Sequence, residues 1–235
     1  MSTWDSEYSR RGIPSSSRDD PSGVLTWTLT NWSHLTGGNL PSTAIDIGCG
    51  TGRNAMHMAS RGISVLAFDS SETAVQSALE RRRIAGLPNE PTFLKHDLTQ
   101  GIPAQNDEFD LATDIFVYKH QLKPELRAEY RQELRRVLRP EGRLLLSLAD
   151  RRDGYYDKCP DLDFTLGNPH TILDPVAGIG SVLFTLEELR EELSDVFALE
   201  MSWHKVKFGL MHGERYLRRT IATIWRIRGQ QDAVA

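Results

Sequence analysis

The chain has 235 residues with 28 Lys and Arg against 32 Asp and Glu, a formal net charge of −4 and two cysteines. It is long enough for one large α/β domain, and its lack of a basic excess argues against nucleic acid as a partner and for a small or neutral substrate. Cys49 and Cys159 cannot build a disulfide framework and lack the spacing of a zinc site, so a cytoplasmic setting is expected. The polar start MSTWDSEYSRRG and the absence of any run as long as a membrane span predict no membrane association.

Residues 1–40 read as a mobile Ser/Arg/Asp/Pro-rich lead through Pro21, then a short helix in VLTWTLTNWSHL, where Leu25, Leu29 and Trp32 recur at helical spacing. From Thr43 short aliphatic runs alternate with longer amphipathic ones, the signature of parallel strands joined by crossover helices. The strands are TAIDI, ISVLAF, PTFLKH, FDLATDIF and RLLLSLA. The helix ETAVQSALERRRIA has Ser70 and Ser71 as capping candidates, Ala74, Val75, Ala78 and Leu79 as its apolar face, and Gly86 and Pro88 as its stop. The segment Glu125 to Leu138 places Leu126, Tyr130, Leu134 and Leu138 on one face, leaving its arginines for solvent. Asp150 to Phe184 has little periodicity. Thr185 and Glu188 form a capping box for a helix with Leu186, Leu189 and Leu193 on one face. FALEMSWHKV and YLRRTIATIWRI then make a closing hairpin, so at least one strand runs antiparallel. The expected fold is a single doubly wound, mostly parallel seven-stranded sheet with an antiparallel C-terminal strand and helices on both faces. It forms one domain, 1–235, comprising a lead and helix (1–40), a core (43–149), an insertion (150–184), and a last helix and hairpin (185–228).

The sharpest motif is AIDIGCGTG, a buried strand running into Gly48, Gly50 and Gly52 and then into the helix RNAMHMAS. Glycines permit a tight turn and close backbone approach. The spacing G-x-G-x-G is not the G-x-G-x-x-G/A of dinucleotide sites, and no Gly-Lys-Ser/Thr follows to make a phosphate loop. Asp46, just before the glycines, would repel a pyrophosphate but suits a cationic, sulfonium-bearing ligand. Asp69 ends the second strand, where its two oxygens can accept from both ribose hydroxyls, and Asp97 follows the third, where it can accept from an adenine amino group beside Leu98.

AIDIGCGTG, the acid of AFDSS and the acid of KHDL resemble the successive motifs of class I, Rossmann-like S-adenosylmethionine-dependent methyltransferases over Thr43 to Ala149. The stretch GCGTGRNAMHMASRGISVLAFDSS and a WD..Y at Trp4, Asp5 and Tyr8 are similar to the tellurite-resistance and thiopurine small-molecule branch. The resemblance implies S-adenosyl-L-methionine as cofactor, held by Asp46, Gly48, Cys49, Gly50, Gly52, Asn54, Asp69, Ser70, Asp97, Leu98 and Ile115. Cys49, at a loop position where the family accepts many residues, reads more readily as a small filler. The resemblance also puts the end of the fourth strand, DLATDIFVYKHQ, near the transferred methyl, making His120, Asp114 and Tyr118 the catalytic candidates, His120 as base. The insertion, with Tyr155, Tyr156, Phe164 and His170, is the expected acceptor pocket and a candidate lid. The Asn-Pro-Pro-Tyr tetrad of amino methyltransferases is absent, and no carboxylate set predicts a metal. The arginines of RQELRRVLR and RYLRRTIATIWRIR read as solvent-facing charges and as outward residues of an edge strand. The expected acceptor is thus a small molecule and the oligomeric state monomer or homodimer. The alternatives are an RNA or protein methyltransferase, a non-catalytic S-adenosylmethionine-binding protein, and a nicotinamide-dependent reductase, which the glycine spacing and Asp46 disfavour.

Overall fold

Strands apolar on both faces belong at the middle of a sheet covered by helices on each side, and the chain follows that rule. The computed structural model describes residues 3–11, 13, 16, 18–162 and 170–229. Its sheet contains β1 (Thr43–Ile47), β2 (Ser64–Asp69), β3 (Thr92–Lys95), β4 (Phe109–Ile115), β5 (Leu138–Ala149), β8 (Phe197–Met211) and β9 (Glu214–Ile227) in the order β3-β2-β1-β4-β5-β9-β8. The first five are mutually parallel, β9 is antiparallel to both neighbours, and β8 therefore points the same way as β5. β8 is the edge and β9 lies inside the sheet, so the arginines of YLRRTIATIWRI do not sit on an edge strand.

Alternate residues of the central strands feed opposite layers. Ile45, Ile47, Leu144, Leu146 and Leu148 pack on one face with Tyr130 and Leu134 of a helix α6 (Pro124–Val137) and Leu189 and Leu193 of α7 (Leu186–Leu193). Ala44 and Leu145 pack on the other with α2 (Gly23–Thr30), α3 (Trp32–Thr36), α4 (Arg53–Ser60) and α5 (Glu72–Ala85). The predicted local signals are present: Ser71 Oγ caps α5 by accepting from Ala74 N, Gly86 ends α5 in the left-handed region, and Thr185 and Glu188 close a reciprocal capping box on α7.

Three expectations need correction. The described part of the lead is not loose: residues Thr3–Arg10 form a helix, α1, in which the buried Glu7 carboxylate accepts from Ile13 N at 2.7 Å and Ser16 Oγ at 2.8 Å. The described part of the insertion is a packed wall, carrying the hairpin β6 (Thr171–Asp174) and β7 (Ile179–Val182) and burying Tyr155, Tyr156, Ile172 and Leu183 with Ile13, Ala149 and Met211. Phe164 lies outside the described residues. The α6 arginines do not all face solvent either, because Arg127 and Arg131 are buried against Glu192 and Asp195 of α7 and its C-terminal end, at 2.6 to 3.0 Å.

Candidate functional site

In an open parallel sheet the strand order reverses where two crossovers diverge, and the gap there is a natural ligand crevice at the carboxyl ends. Here the reversal lies between β1 and β4, and a cavity of about 890 Å³ opens at that edge. On the β1–β3 side it is lined by Gly48, Phe68, Asp69, Ser70, Asp97 and Leu98. On the other side it is lined by Phe116, Lys119, His120, Tyr156, Asp174, Met211 and Arg218. Ile115 lies between them at the end of β4.

The glycine loop is organised by an acid from the neighbouring strand. Asp69 is 7% exposed; its Oδ2 accepts from Gly50 N at 2.9 Å and its Oδ1 from Ser71 N at 2.9 Å. Burial pushes its carboxyl up from the ordinary range, while these backbone amides pull it down. Gly52 has φ +78°, and a Cβ there would sit 2.7 Å from Phe93 and 2.9 Å from Ala78. A Cβ on Gly50 would meet the Tyr8 hydroxyl at 2.5 Å. The glycines at these two positions therefore admit protein side chains against the loop, a reason the sequence reading did not supply. Asp97 caps the short turn Leu98–Gln100, with Oδ1 accepting from Thr99 N and Thr99 Oγ1.

Five of the expected cofactor residues do not line the cavity. Asp46 is fully buried one layer beneath the loop: Oδ1 accepts from Thr113 Oγ1 at 2.7 Å, Oδ2 has no hydrogen-bond partner, and desolvation pushes its pKa to about 7. Asn54 Oδ1 accepts from Ser22 N at 2.8 Å and ties α4 to the start of α2. Cys49 is buried in the apolar layer with α2 and α4, as a filler, and Gly50 and Gly52 pack as described.

The catalytic candidates separate. Asp114 is turned away from the cavity; Oδ1 accepts from Val117 N and Tyr118 N at 3.0 and 3.1 Å, and Oδ2 from Tyr130 Oη at 2.8 Å. It holds the turn in which Phe116 adopts φ +74°, a left-handed conformation costing a bulky residue about 1 to 3 kcal/mol. Burial raises Asp114 to about 6. Tyr118 is also wholly buried, donating to Glu192 at 3.0 Å and accepting from Arg131 at 3.1 Å, so it knits α6 to α7 and does not reach the cavity.

His120 does line the cavity. Its Nδ1 is 2.8 Å from the Gly180 carbonyl, which can only accept, so Nδ1 carries the proton and Nε2 is a bare acceptor. Burial, reinforced by the adjacent Lys119, pushes its pKa down to about 3, so the ring is neutral and a poor proton acceptor at neutral pH. Of the expected acceptor residues, Tyr156 lines the cavity, whereas Tyr155 packs against Tyr156, His212 and Tyr216 behind it, and His170 lies off the cavity with Nε2 buried and unpartnered.

The N-terminal WD..Y supplies the cover. The Trp4 ring meets His120 edge-on at 4.9 Å, Asp5 Oδ1 accepts from Ser71 Oγ at 2.8 Å at the start of α5, and Tyr8 reaches the glycine loop. Lys119 and Arg218 were missed as site residues. Lys119 stood inside the quoted DIFVYKHQ, but no local signal separates a buried lysine from an exposed one, and Arg218 needs the inner position of β9 to face the cavity.

With this geometry established, similarity to known proteins is specific. Residues 44–142 match the family model described as a methyltransferase domain. Thiocyanate methyltransferase 1 of Brassica oleracea is 30% identical over 129 residues, 55% of each chain, and probable thiol methyltransferase 2 of Arabidopsis thaliana is 33% identical over 122 residues, 50% of this chain and 52% of that one. The chain thus spans about half the length of these curated relatives. In fold it is similar to Burkholderia thailandensis 1,6-didemethyltoxoflavin-N1-methyltransferase, solved with its acceptor and S-adenosylhomocysteine, at TM-score 0.68 and 19% identity over 96% of this chain and 86% of that one. It is similar also to a protein from a study of disulfide conversion to a thioacetal in echinomycin biosynthesis, at TM-score 0.70 and 19% identity over 97% and 92%. Residues 44–142 are therefore similar to a methyltransferase domain, and the sheet around them has the Rossmann-like α/β fold of the solved methyltransferases.

Proposed function

We propose that the protein transfers a methyl group from S-adenosyl-L-methionine to a small-molecule acceptor held in the same cavity. The observation that carries this reading is one cavity straddling the β1/β4 reversal, large enough for two ligands, with Asp69 and Asp97 at the ends of β2 and β3 and Phe116, Lys119, His120 and Tyr156 on the other side. When bound, S-adenosylmethionine supplies an electrophilic methyl carbon on a positively charged sulfur. The residues present fit it. Asp69 retains lone pairs for ribose hydroxyls beside Ser70, and Asp97 lines the cavity for an adenine amino group with Leu98 and Ile115 flanking. Trp4, Tyr8 and Phe116 exclude water, and His120 Nε2 orients the acceptor by accepting a hydrogen bond. Alignment of acceptor and methyl is the main contribution such a site makes to an in-line displacement.

The reading extends to one domain over 1–235 and a cytoplasmic setting; a monomer or homodimer remains the expected state. No described helix is long and apolar enough to cross a membrane. Calorimetry tests the core of it: S-adenosylhomocysteine is expected to bind and NAD not to, and tighter binding of NAD would overturn the reading. Incubation of metabolite extracts with methyl-labelled cofactor then identifies the acceptor by mass spectrometry.

A further inference from the structure

Charged side chains line the cavity along its length, with Arg18 and Arg53 beside the N-terminal segment and glycine loop and Asp174 on the insertion side. Asp69 and Asp97 line it from the ends of β2 and β3, whereas Lys119, Lys205, Lys207 and Arg218 line it from the β4 turn, β8 and β9. Adjacent strands lie about 4.8 Å apart, so the acids of β2 and the cations of β9, four strand spacings away, are separated by roughly 19 Å.

Lys119 is 2% exposed, and its Nζ donates to Tyr156 Oη at 2.7 Å while lying 4.1 Å from the centre of that ring. It makes no ion pair with a carboxylate among the described residues, and neither do Lys205 and Lys207. The acids nearby are already engaged. Asp153 grips Arg218 Nε with both oxygens at 2.9 Å, and Asp174 accepts from Val176 N and Ala177 N through Oδ1 and pairs with His212 through Oδ2 at 3.0 Å. A Cβ on Gly23 would come 2.9 Å from Lys205 Nζ, so this ammonium sits at the first turn of α2, itself the positive end of a helix. Burial together with Arg18, Lys205 and Arg218 depresses Lys207, and burial followed by Arg218 depresses Lys119 to about 7. A buried ammonium without a counter-charge is costly, and an arriving anion relieves that cost.

We infer that the acceptor is a small monoanion whose negative charge is held by Lys119, within the field of Lys205, Lys207 and Arg218. This rests on the proposed transfer reaction and assigns Lys119 as the residue that selects among its acceptors. In the step, a lone pair of the acceptor forms the bond to the methyl carbon and the carbon–sulfur pair stays on sulfur. When the nucleophile is itself the anion, its charge and that of the sulfonium cancel, and no proton has to be taken up. That matches a cavity in which His120 is a poor base, His96 Nε2 is engaged with the Gly101 carbonyl, and Asp114 and Tyr118 face elsewhere.

The test uses the full chain saturated with S-adenosylhomocysteine and titrated with thiocyanate, with mercaptoacetate and with neutral mercaptoethanol. At least one anion is expected to bind, roughly tenfold or more tightly than mercaptoethanol, and Lys119→Gln to weaken it by roughly tenfold or more while S-adenosylhomocysteine affinity holds within about twofold. Thiocyanate binding identifies the anion as the nucleophile itself, and mercaptoacetate binding alone identifies a carboxylate handle. Lys119→Arg, which keeps the charge but is no base, is expected to retain anion binding; its loss alongside that of Lys119→Gln would make Lys119 a base and overturn the inference. Equal binding of mercaptoethanol, no anion binding at millimolar concentration, or an unchanged Lys119→Gln would overturn it too. Should Lys119→Gln not fold, Lys205→Gln with Lys207→Gln on the partly exposed hairpin is expected to lower anion affinity several-fold in low salt, and no change there would refute the inference. Failure of S-adenosylhomocysteine to bind the wild-type protein removes the transfer reading, and this inference with it.

Discussion

The cofactor half of the cavity is made chiefly by one continuous stretch, Gly48 to Thr99, in which each acid is positioned by amides of that stretch: Asp69 by Gly50 and Ser71, Asp97 by Thr99. The acceptor half is assembled from the β4 turn, the insertion and the β8–β9 hairpin, so that Lys119 meets Tyr156 across 37 residues of chain and Arg218 meets Asp153 across 65. The first arrangement is local and self-organising. The second exists only when distant elements pack, and it is held by a buried ammonium and ion pairs whose desolvation is offset only by good geometry.

Breaking the cofactor half gives the largest effect. Asp69→Ala strands the Gly50 and Ser71 amides and removes the acceptor for the ribose, which is expected to cost about 2 to 4 kcal/mol of S-adenosylhomocysteine binding. Calorimetry on a variant with unchanged circular dichroism measures it. An unchanged dissociation constant would place the ribose elsewhere.

The two halves also titrate in opposite senses. Asp46 is raised from 3.8 to about 7, so the folded chain keeps a proton the unfolded chain has released, and stability falls as pH rises through that window. Lys119 is lowered from 10.5 to about 7, so the unfolded chain holds the extra proton, and stability rises as pH increases from about 7 towards 10.5. Each slope is bounded by about 1.4 kcal/mol per pH unit. Denaturant unfolding of Asp46→Asn is expected to flatten the acid-side fall, and that of Lys119→Met the alkaline-side rise. The reverse assignment of slopes would mean the buried charges are paired in ways the geometry does not include.

The smallest effect separates structure from chemistry. Tyr118→Phe removes hydrogen bonds to Glu192 and Arg131 and is expected to lower unfolding free energy by about 1 kcal/mol while leaving kcat within about twofold. A large loss of kcat at unchanged stability would return Tyr118 to the reacting centre.

What could be read directly from the chain tracks this same divide. The strands from Thr43 to Ala149, the caps at Ser71 and Thr185, the closing hairpin, and the cavity-lining positions of Asp69, Ser70, Asp97 and Leu98 follow from period, punctuation and short spacing, because strand ends and helix starts are set by neighbours in sequence. Asp46, Asn54, Asp114 and Tyr118 were legible as polar residues near strand ends but not in their orientation. A side chain at a strand end faces either the crevice or the layer beneath it, and that choice depends on Thr113, Ser22, Tyr130, Glu192 and Arg131, which arrive from elsewhere. The sequence by itself determined the strands of the sheet and the acids that follow β2 and β3. Only the tertiary structure decided that α1 covers the site, that the described part of the insertion is a wall, and that a chain of net charge −4 gathers Lys119, Lys205, Lys207 and Arg218 at one end of a single cavity, because burial and charge proximity are properties of packing.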